Sequence, residues 1–166
     1  PAYSHRQASL GVRMNTLELR LPPPILALLL GVAMWVLSRL TPAATVAGLA
    51  RVVAAAAIAL AGAAVSLSGA MAFRRMKTTV NPFRPERASS LVTSGVYRMT
   101  RNPMYVGLLL VLVGWAVLLA NLWSALGPVV FVAYITRFQI KPEERALSSL
   151  FGEEYASYKS RVRRWL

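Results

Sequence analysis

The chain has 166 residues, is 56% hydrophobic, carries a formal net charge of +13 and contains no cysteine. Its apolar residues are collected into long blocks, which is typical of a membrane-embedded helical protein and not of a soluble domain. The lack of cysteine excludes disulfides, thiol nucleophiles and cysteine metal sites in this chain, and with a single histidine, His5, we expect no metal site.

The first 13 residues precede Met14 and contain no apolar block. We interpret residues 1–13 as a tail or a cloning-derived segment that takes no part in the fold. Residues 14–166 are then predicted to form a single domain.

Four apolar blocks suit membrane-spanning helices. The first, residues 24–40, follows prolines that favour a helix start, because the first N–H groups of a helix have no partner. The second covers residues 43–73. The third and fourth, residues 105–120 and 122–138, are separated only by Asn121, which predicts an antiparallel hairpin. We therefore predict an all-α integral membrane bundle of about four transmembrane helices, or five helices in total.

Small residues in the second block predict close contact with a neighbouring helix. They are Gly62, Ser66, Ser68 and Gly69. In the fourth block, Pro128 predicts a kink.

Basic residues predict the orientation, because lysine and arginine accumulate in cytoplasmic segments. Of the 19 basic residues, only Arg39 and Arg51 lie at the turn between the first and second blocks. The others lie in three segments that share one side of a four-span bundle, so we expect both termini on the cytoplasmic side. Because the charge flanks apolar blocks, we expect anionic lipid headgroups and not nucleic acid as its counterpart.

Residues 141–166, KPEERALSSLFGEEYASYKSRVRRWL, have apolar side chains at intervals of three or four, which predicts an amphipathic helix. We expect this helix to begin at Pro142 and to lie at the cytoplasmic face, with Trp165 as an interfacial anchor. Glu143 and Glu144 then fall in its first turn, where they either have a functional role or compensate the helix dipole.

Between the second and third blocks lies the polar segment RRMKTTVNPFRPERASSLVTSGVYRMTRNPMYVG, residues 74–107. Connections longer than about 12–15 residues are usually functional or disordered, and the aromatic residues of this one argue against disorder. Within it, Arg101, Asn102 and Pro103 also fit a plain helix start, with Asn102 as N-cap and Arg101 as a topology charge.

Two stretches carry a resemblance to a known family. GVYRMTRNPMYVG, residues 95–107, resembles the G-x-Y-x-x-x-R-H-P-x-Y-x-G signature of the isoprenylcysteine carboxyl methyltransferase and phospholipid methyltransferase superfamily of membrane enzymes. EERALSSLFGEEYASYKSRV, residues 143–162, resembles that superfamily's E-E-x-x-L-x-x-x-F-G-x-x-Y-x-x-Y motif. Both occur in the family's order, on either side of the predicted hairpin.

The resemblance implies an S-adenosylmethionine site at the cytoplasmic face, enclosed by residues 81–107 and 139–162, with a lipid-like methyl acceptor entering from the bilayer. The implied catalytic residues are Arg101, Glu143 and Glu144. The implied cofactor-binding residues are Tyr97, Asn102, Pro103, Tyr105, Gly107, Tyr155 and Tyr158. Carboxylates, an arginine and aromatic faces are suitable partners for the ammonium, carboxylate and sulfonium of that cofactor.

Two positions depart from the family pattern. Asn102 stands where the family usually has histidine, and an amide can form hydrogen bonds but cannot titrate. Gln139 stands where the isoprenylcysteine enzymes lead us to expect an arginine, which removes a clamp for an acceptor carboxylate and leaves Arg137 as the nearest substitute.

We therefore expect methyl transfer from S-adenosylmethionine to a lipid-like acceptor, foremost a carboxylate. Phospholipid (ethanolamine-type) N-methylation stays open, with Glu143 or Glu144 removing the proton of the amine. A non-catalytic membrane module and, more distantly, a membrane reductase also remain as alternatives.

Overall fold

The structure, a computed structural model, describes residues 18–19, 21–42, 48–75 and 90–166. All regular elements in these ranges are helical, which confirms the predicted all-α class. They are α1 (Pro23–Leu40), α2 (Gly48–Arg75), a 3₁₀ turn (Gly95–Arg98), α3 (Pro103–Leu119), a second 3₁₀ turn (Trp123–Ala125), α4 (Leu126–Ile135), a π-helical segment (Thr136–Ile140) and α5 (Lys141–Arg161). The predictions for residues 1–13 and for residues 81–89 lie outside the described residues.

Two helices of the described chain, α1 and α2, are long and apolar enough to cross a membrane, and α3 is apolar over a shorter length of 17 residues. Both long helices expose large apolar side chains: Leu28 in α1 is 67% exposed, and Leu60 in α2 is 71% exposed. Contiguous apolar surface of this kind is unusual on a soluble monomer. The helices therefore support a membrane protein.

Helix α3 lies at the centre and contacts α2 through glycine. A Cβ atom built at Gly62 would lie 2.6 Å from the carbonyl oxygen of Gly107, so the two helices approach closely. Gly69 faces Pro103, and the Ser66 hydroxyl donates to a main-chain carbonyl of α3 at 3.0 Å. The predicted contact role is confirmed for Gly62, Ser66 and Gly69. It is wrong for Ser68, whose exposed hydroxyl donates within its own helix.

The opposite face of α3 packs against α1 and α4. The buried core there comprises Leu26, Met34, Tyr105, Leu112, Phe131, Ile135 and Ile140. Directly after α3, Ala120 adopts a left-handed conformation (φ 46°), and the buried Asn121 amide donates to the Thr41 hydroxyl at 2.7 Å. The short connection between α3 and α4 is thus present as predicted.

The helical path from α4 to α5 differs from the prediction. The residues at both junctions of the π-helical segment have helical dihedral angles, so no new helix begins at Pro142. The break occurs instead at Gly152 (φ 48°, ψ −119°). A proline inside a helix normally disturbs the preceding turn, and here that turn is the π-helical segment. Pro128 lies in the first turn of α4, where a missing N–H is tolerated, and the kink predicted there stays a prediction.

Without a free helix start at residue 142, helix-dipole compensation no longer accounts for Glu143 and Glu144. After α5 the chain returns across the start of α3. The Trp165 indole donates to the Thr136 hydroxyl at 3.1 Å, and its partly buried ring packs against the core. Its role as an interfacial anchor stays a prediction.

Candidate active site

The two stretches that resemble family motifs meet at one end of the bundle. The first supplies a 3₁₀ turn and the start of α3, and the second supplies α5. The Tyr158 hydroxyl donates to the main-chain carbonyl of Tyr97 at 2.7 Å, and both side chains are buried. The main-chain N–H of Arg101 donates to the carbonyl of Arg163 at 3.0 Å. This bond holds the chain after α5 against the residues that precede α3.

Glu144 lies between two arginines. Arg164 donates to its two oxygens from Nε (2.9 Å) and Nη2 (2.8 Å), and Arg101 Nη2 lies 3.2 Å from Oε1. Burial alone would raise the pKa of Glu144, but the hydrogen bonds from Arg164 and the charges of both arginines hold this pKa below its ordinary value. Glu144 is therefore ionised at neutral pH.

Arg101 has unused hydrogen-bonding capacity. Its side chain is only 10% exposed, and its buried Nε and Nη1 atoms have no partner among the residues that the structure describes. Buried donors without a partner are costly, and a guanidinium edge matches a carboxylate in a planar, two-point arrangement. Arg101 thus presents a prepared anion-binding edge beside Glu144.

The neighbouring carboxyl, Glu143, has a different environment. The Tyr105 hydroxyl donates to Glu143 Oε1 at 2.5 Å. Burial raises the pKa of Glu143, the hydrogen bond from Tyr105 opposes this, and the negative charge of Glu144 adds to it, with a result of about 8. Two adjacent carboxyls therefore have pKa values that are shifted in opposite directions, an arrangement typical of functional sites.

Three further tyrosines line the region. The Tyr97 ring meets Phe73 of α2 edge-on, with 5.4 Å between ring centroids. Burial, with a further effect from the Glu144 charge, raises the pKa of Tyr155 to about 12, and burial likewise raises the pKa of Tyr158 and of Tyr97. All three phenols stay neutral at physiological pH and offer aromatic faces and hydroxyl groups.

The structure does not bring all predicted site residues into this cluster. Pro103 and Gly107 face α2, because α3 uses that side for helix packing. Asn102 occupies the N-cap position of α3, but its side chain forms no capping bond. Its amide donates instead to the Arg164 carbonyl at 2.9 Å and so ties the returning chain to α3.

Sequence reasoning missed Arg164, Thr100 and the environment of Gln139. Arg164 was one of several basic residues near the end of the chain, and no local signal separates it from the others. Thr100 is 1% exposed, and its hydroxyl contacts the Arg164 carbonyl at 3.3 Å.

Gln139 is fully buried in the π-helical segment. Its Nε2 donates to the Leu21 carbonyl at 2.8 Å, while its Oε1 has no partner within the described chain. Arg137 does not replace the expected arginine, since its guanidinium lies over the Phe138 ring.

An apolar groove of about 790 Å³ opens between α1, α2 and α3. Its lining includes Leu28, Trp35, Ala55, Ala59, Leu108 and Trp115. Leu108 lies one helical turn beyond Tyr105 on α3. The lining of the groove is apolar, so a hydrocarbon chain would match its surface.

The sequence is similar to those of known proteins. The profile of a family described as phospholipid methyltransferase matches residues 50–154. The chain is 39% identical over 88 residues to protein-S-isoprenylcysteine O-methyltransferase B of Arabidopsis thaliana, covering 53% of this chain and 45% of that protein. It is 41% identical over 73 residues to the human protein-S-isoprenylcysteine O-methyltransferase, covering 44% and 26% respectively.

An uncharacterized protein of Haemophilus influenzae is 49% identical over 63 residues, which are 38% of this chain and the whole of that protein. The chain spans less than half the length of the two methyltransferases. No solved structure matches it significantly.

Proposed function

Because this chain belongs to the phospholipid methyltransferase family, we propose that it transfers a methyl group from S-adenosylmethionine to a lipid-like acceptor at the membrane interface. The observation that carries the proposal is the buried Arg101 beside Glu144, with two guanidinium nitrogens that have no partner among the described residues. These donors fit the carboxylate of the cofactor. When bound, the cofactor supplies an electrophilic methyl group on a sulfonium.

The chain's own residues bind the cofactor, orient it and exclude water from the site. Arg101 receives the cofactor carboxylate, and the neutral rings of Tyr97, Tyr155 and Tyr158 are suited to adenine or sulfonium. Because two arginines already neutralise Glu144, Glu143 is the carboxyl left to orient the methyl acceptor. Orientation of this kind accounts for a large part of catalysis in a displacement reaction.

The proposed arrangement is a single domain of residues 14–166 with four spans and both termini on the cytoplasmic side. The spans would be α1, α2, α3 and the helix through α4, and α5 would cover the bundle at the cytoplasmic face. This proposal is supported by the apolar length of α1 and α2, by the tight connection after α3 and by the basic residues concentrated near the site.

The proposed acceptor is a lipidic carboxylate that enters through the apolar groove. Two observations support it: the named relatives are isoprenylcysteine O-methyltransferases, and the groove suits a hydrocarbon chain. A carboxylate is already a nucleophile at neutral pH, so the chain would need no base for this acceptor.

A lipid amine is the second candidate acceptor, and Gln139 favours it. Gln139 lies one turn before Glu143, and its Oε1 has no partner in the described part of the chain. This oxygen can accept a hydrogen bond from an amine but not from a carboxylate. An amine acceptor must also lose a proton, and a carboxyl whose pKa is about 8 is matched to that task.

Titration calorimetry of the detergent-purified protein with S-adenosylmethionine and S-adenosylhomocysteine tests the proposal. We expect saturable binding that Arg101→Ala weakens by about 100-fold or more, since each hydrogen bond to a charged group contributes roughly 1.5–3 kcal/mol. Arg98→Ala, at an exposed arginine of the same segment, is the matched control and should bind normally. Unchanged affinity in Arg101→Ala would refute the site, and a folded wild type that binds neither ligand would support the non-catalytic module.

The acceptor classes are distinguished by the pH profile of methylation. Activity that is lost below about pH 8–9 favours an amine, whereas a flat profile above about pH 6 favours a carboxylate.

A further inference from the structure

The residues just before α1 dock on the junction between the π-helical segment and α5. Glu18, Leu19 and Leu21 are here called the strap. The Glu18 carboxylate is 3% exposed and lies 2.6 Å from Arg145 Nη2, in α5. The Leu19 N–H donates to the Phe138 carbonyl at 3.0 Å. The third contact is the bond from the Gln139 amide to the Leu21 carbonyl.

The Leu19 contact supplies a donor that the helix lacks. In an α-helix the Phe138 carbonyl would accept from the N–H of residue 142, but Pro142 has no N–H. Leu19 provides that hydrogen bond from outside the helix. It does so in the left-handed region (φ 58°), a conformation that is unfavourable for leucine. The chain maintains this geometry at the point where the Leu19 N–H meets the Phe138 carbonyl.

The strap contacts lie on both sides of Glu143 in the sequence. Phe138 and Gln139 are bonded one turn before it, and Arg145 is paired two residues after it. The direction of the Glu143 side chain therefore depends on a stretch of helix that the strap fixes. Arg101 and Arg164, on the cofactor side, make none of these contacts.

We infer that the strap is a positioning element of the active site, which holds the helix around Pro142 so that Glu143 meets Tyr105. The inference rests on the proposed function for its catalytic meaning. It assigns positioning roles to Glu18 and Arg145 and to the main-chain N–H of Leu19. Loss of the strap should affect Glu143 and turnover while binding of S-adenosylmethionine persists.

Two pairs of variants test the strap. Leu19→Pro removes the N–H, whereas Leu19→Gly keeps it and suits the positive φ, so glycine should rescue what proline loses. Glu18→Gln breaks the ion pair with Arg145, and Glu154→Gln makes the same change at an exposed glutamate of α5. If Leu19→Pro fails to fold, Glu18→Gln still tests the strap.

The first readout needs no activity. Infrared spectroscopy follows the protonated carboxyl band of Glu143, identified by its loss in Glu143→Gln. Groups facing Glu143 are Tyr105 from α3, Tyr97 from the 3₁₀ turn, and Glu144 and Tyr155 from α5. These groups are the same in every strap variant. We expect a titration midpoint near 8 in wild type and no change in Leu19→Gly and Glu154→Gln. The midpoint should shift in Leu19→Pro and Glu18→Gln, because a displaced Glu143 changes both its burial, which raises the pKa, and its hydrogen bond from Tyr105, which lowers it.

The second readout separates turnover from cofactor affinity. N-acetyl-S-farnesylcysteine and phosphatidylethanolamine serve as the carboxylate and amine probes. We expect kcat to fall about tenfold or more in Leu19→Pro and Glu18→Gln, because small misplacements of a positioned group cost this much or more. The Kd for S-adenosylmethionine should stay within about twofold of the wild-type value, because the strap contacts do not involve Arg101 or Arg164.

Unchanged midpoints in both strap variants would overturn the inference, as would a parallel loss of cofactor affinity, which would indicate a general structural role. Failure of wild type to bind S-adenosylmethionine would instead refute the proposed function and leave the infrared test of the strap valid.

Discussion

The same substitution at two glycines should have opposite effects on stability. Gly62 lies where α2 meets α3, and an added Cβ would be 2.6 Å from the Gly107 carbonyl oxygen, 2.8 Å from Leu110 Cβ and 3.0 Å from the Val111 nitrogen. Two of these atoms are main-chain atoms of a packed helix, so α3 must move. Overpacking of this kind costs about 1–3 kcal/mol. At Gly31, inside α1, a Cβ meets nothing within 4 Å, and alanine should stabilise the helix by about 0.5–1 kcal/mol.

Thermal unfolding of the purified variants in one detergent, followed by tryptophan fluorescence at a fixed scan rate, measures the difference. For a chain of this size about 1 kcal/mol corresponds to roughly 2–4 °C, so Gly62→Ala should lower the Tm by several degrees and Gly31→Ala should raise it slightly. If Gly62→Ala leaves the Tm unchanged or raises it, the close contact between α2 and α3 is refuted.

Two further predictions concern the charged cluster. The pKa of Glu143 is raised from 4.5 to about 8, so the folded protein binds this proton more tightly than the unfolded chain; stability is full below pH 4.5 and declines as pH rises to about 8. Glu143→Gln should abolish this decline in Tm between pH 5 and 8, and a decline that persists in the variant would contradict the assignment. Arg164→Ala should cost about 1–2 kcal/mol, because it removes a two-point bond from a partly exposed arginine. The exposed Arg161, changed to alanine, is the control, and equal losses in both variants would contradict the Arg164 contact.

Much of the fold could be predicted because the apolar blocks are long and their ends are marked. The first block was predicted from residue 24 and the helix begins at Pro23, while Asn121 correctly indicated the tight connection after α3. The close contact of α2 was also predicted, since glycine and serine at helical spacing have few other uses in a membrane helix.

The site could be predicted only in part. The two motif stretches do come together, and Arg101, Glu144 and the tyrosines share one region. Arg164 could not be found, because its role depends on the chain reversing after α5 and placing it against a glutamate 20 residues earlier. The helix start predicted at Pro142 is wrong, because proline favours a helix start but here the helix continues through a π-helical segment.

The sequence by itself determined the membrane-type helical class, the family resemblance and the residue types available for chemistry, since these depend on composition and local spacing. Only the tertiary structure decided that Glu143 and Glu144 differ. The two are neighbours in sequence, yet one contacts a buried tyrosine and the other lies between two arginines. Their pKa values move in opposite directions because burial and charge are set by residues from α3 and from the end of the chain, which local sequence does not reveal.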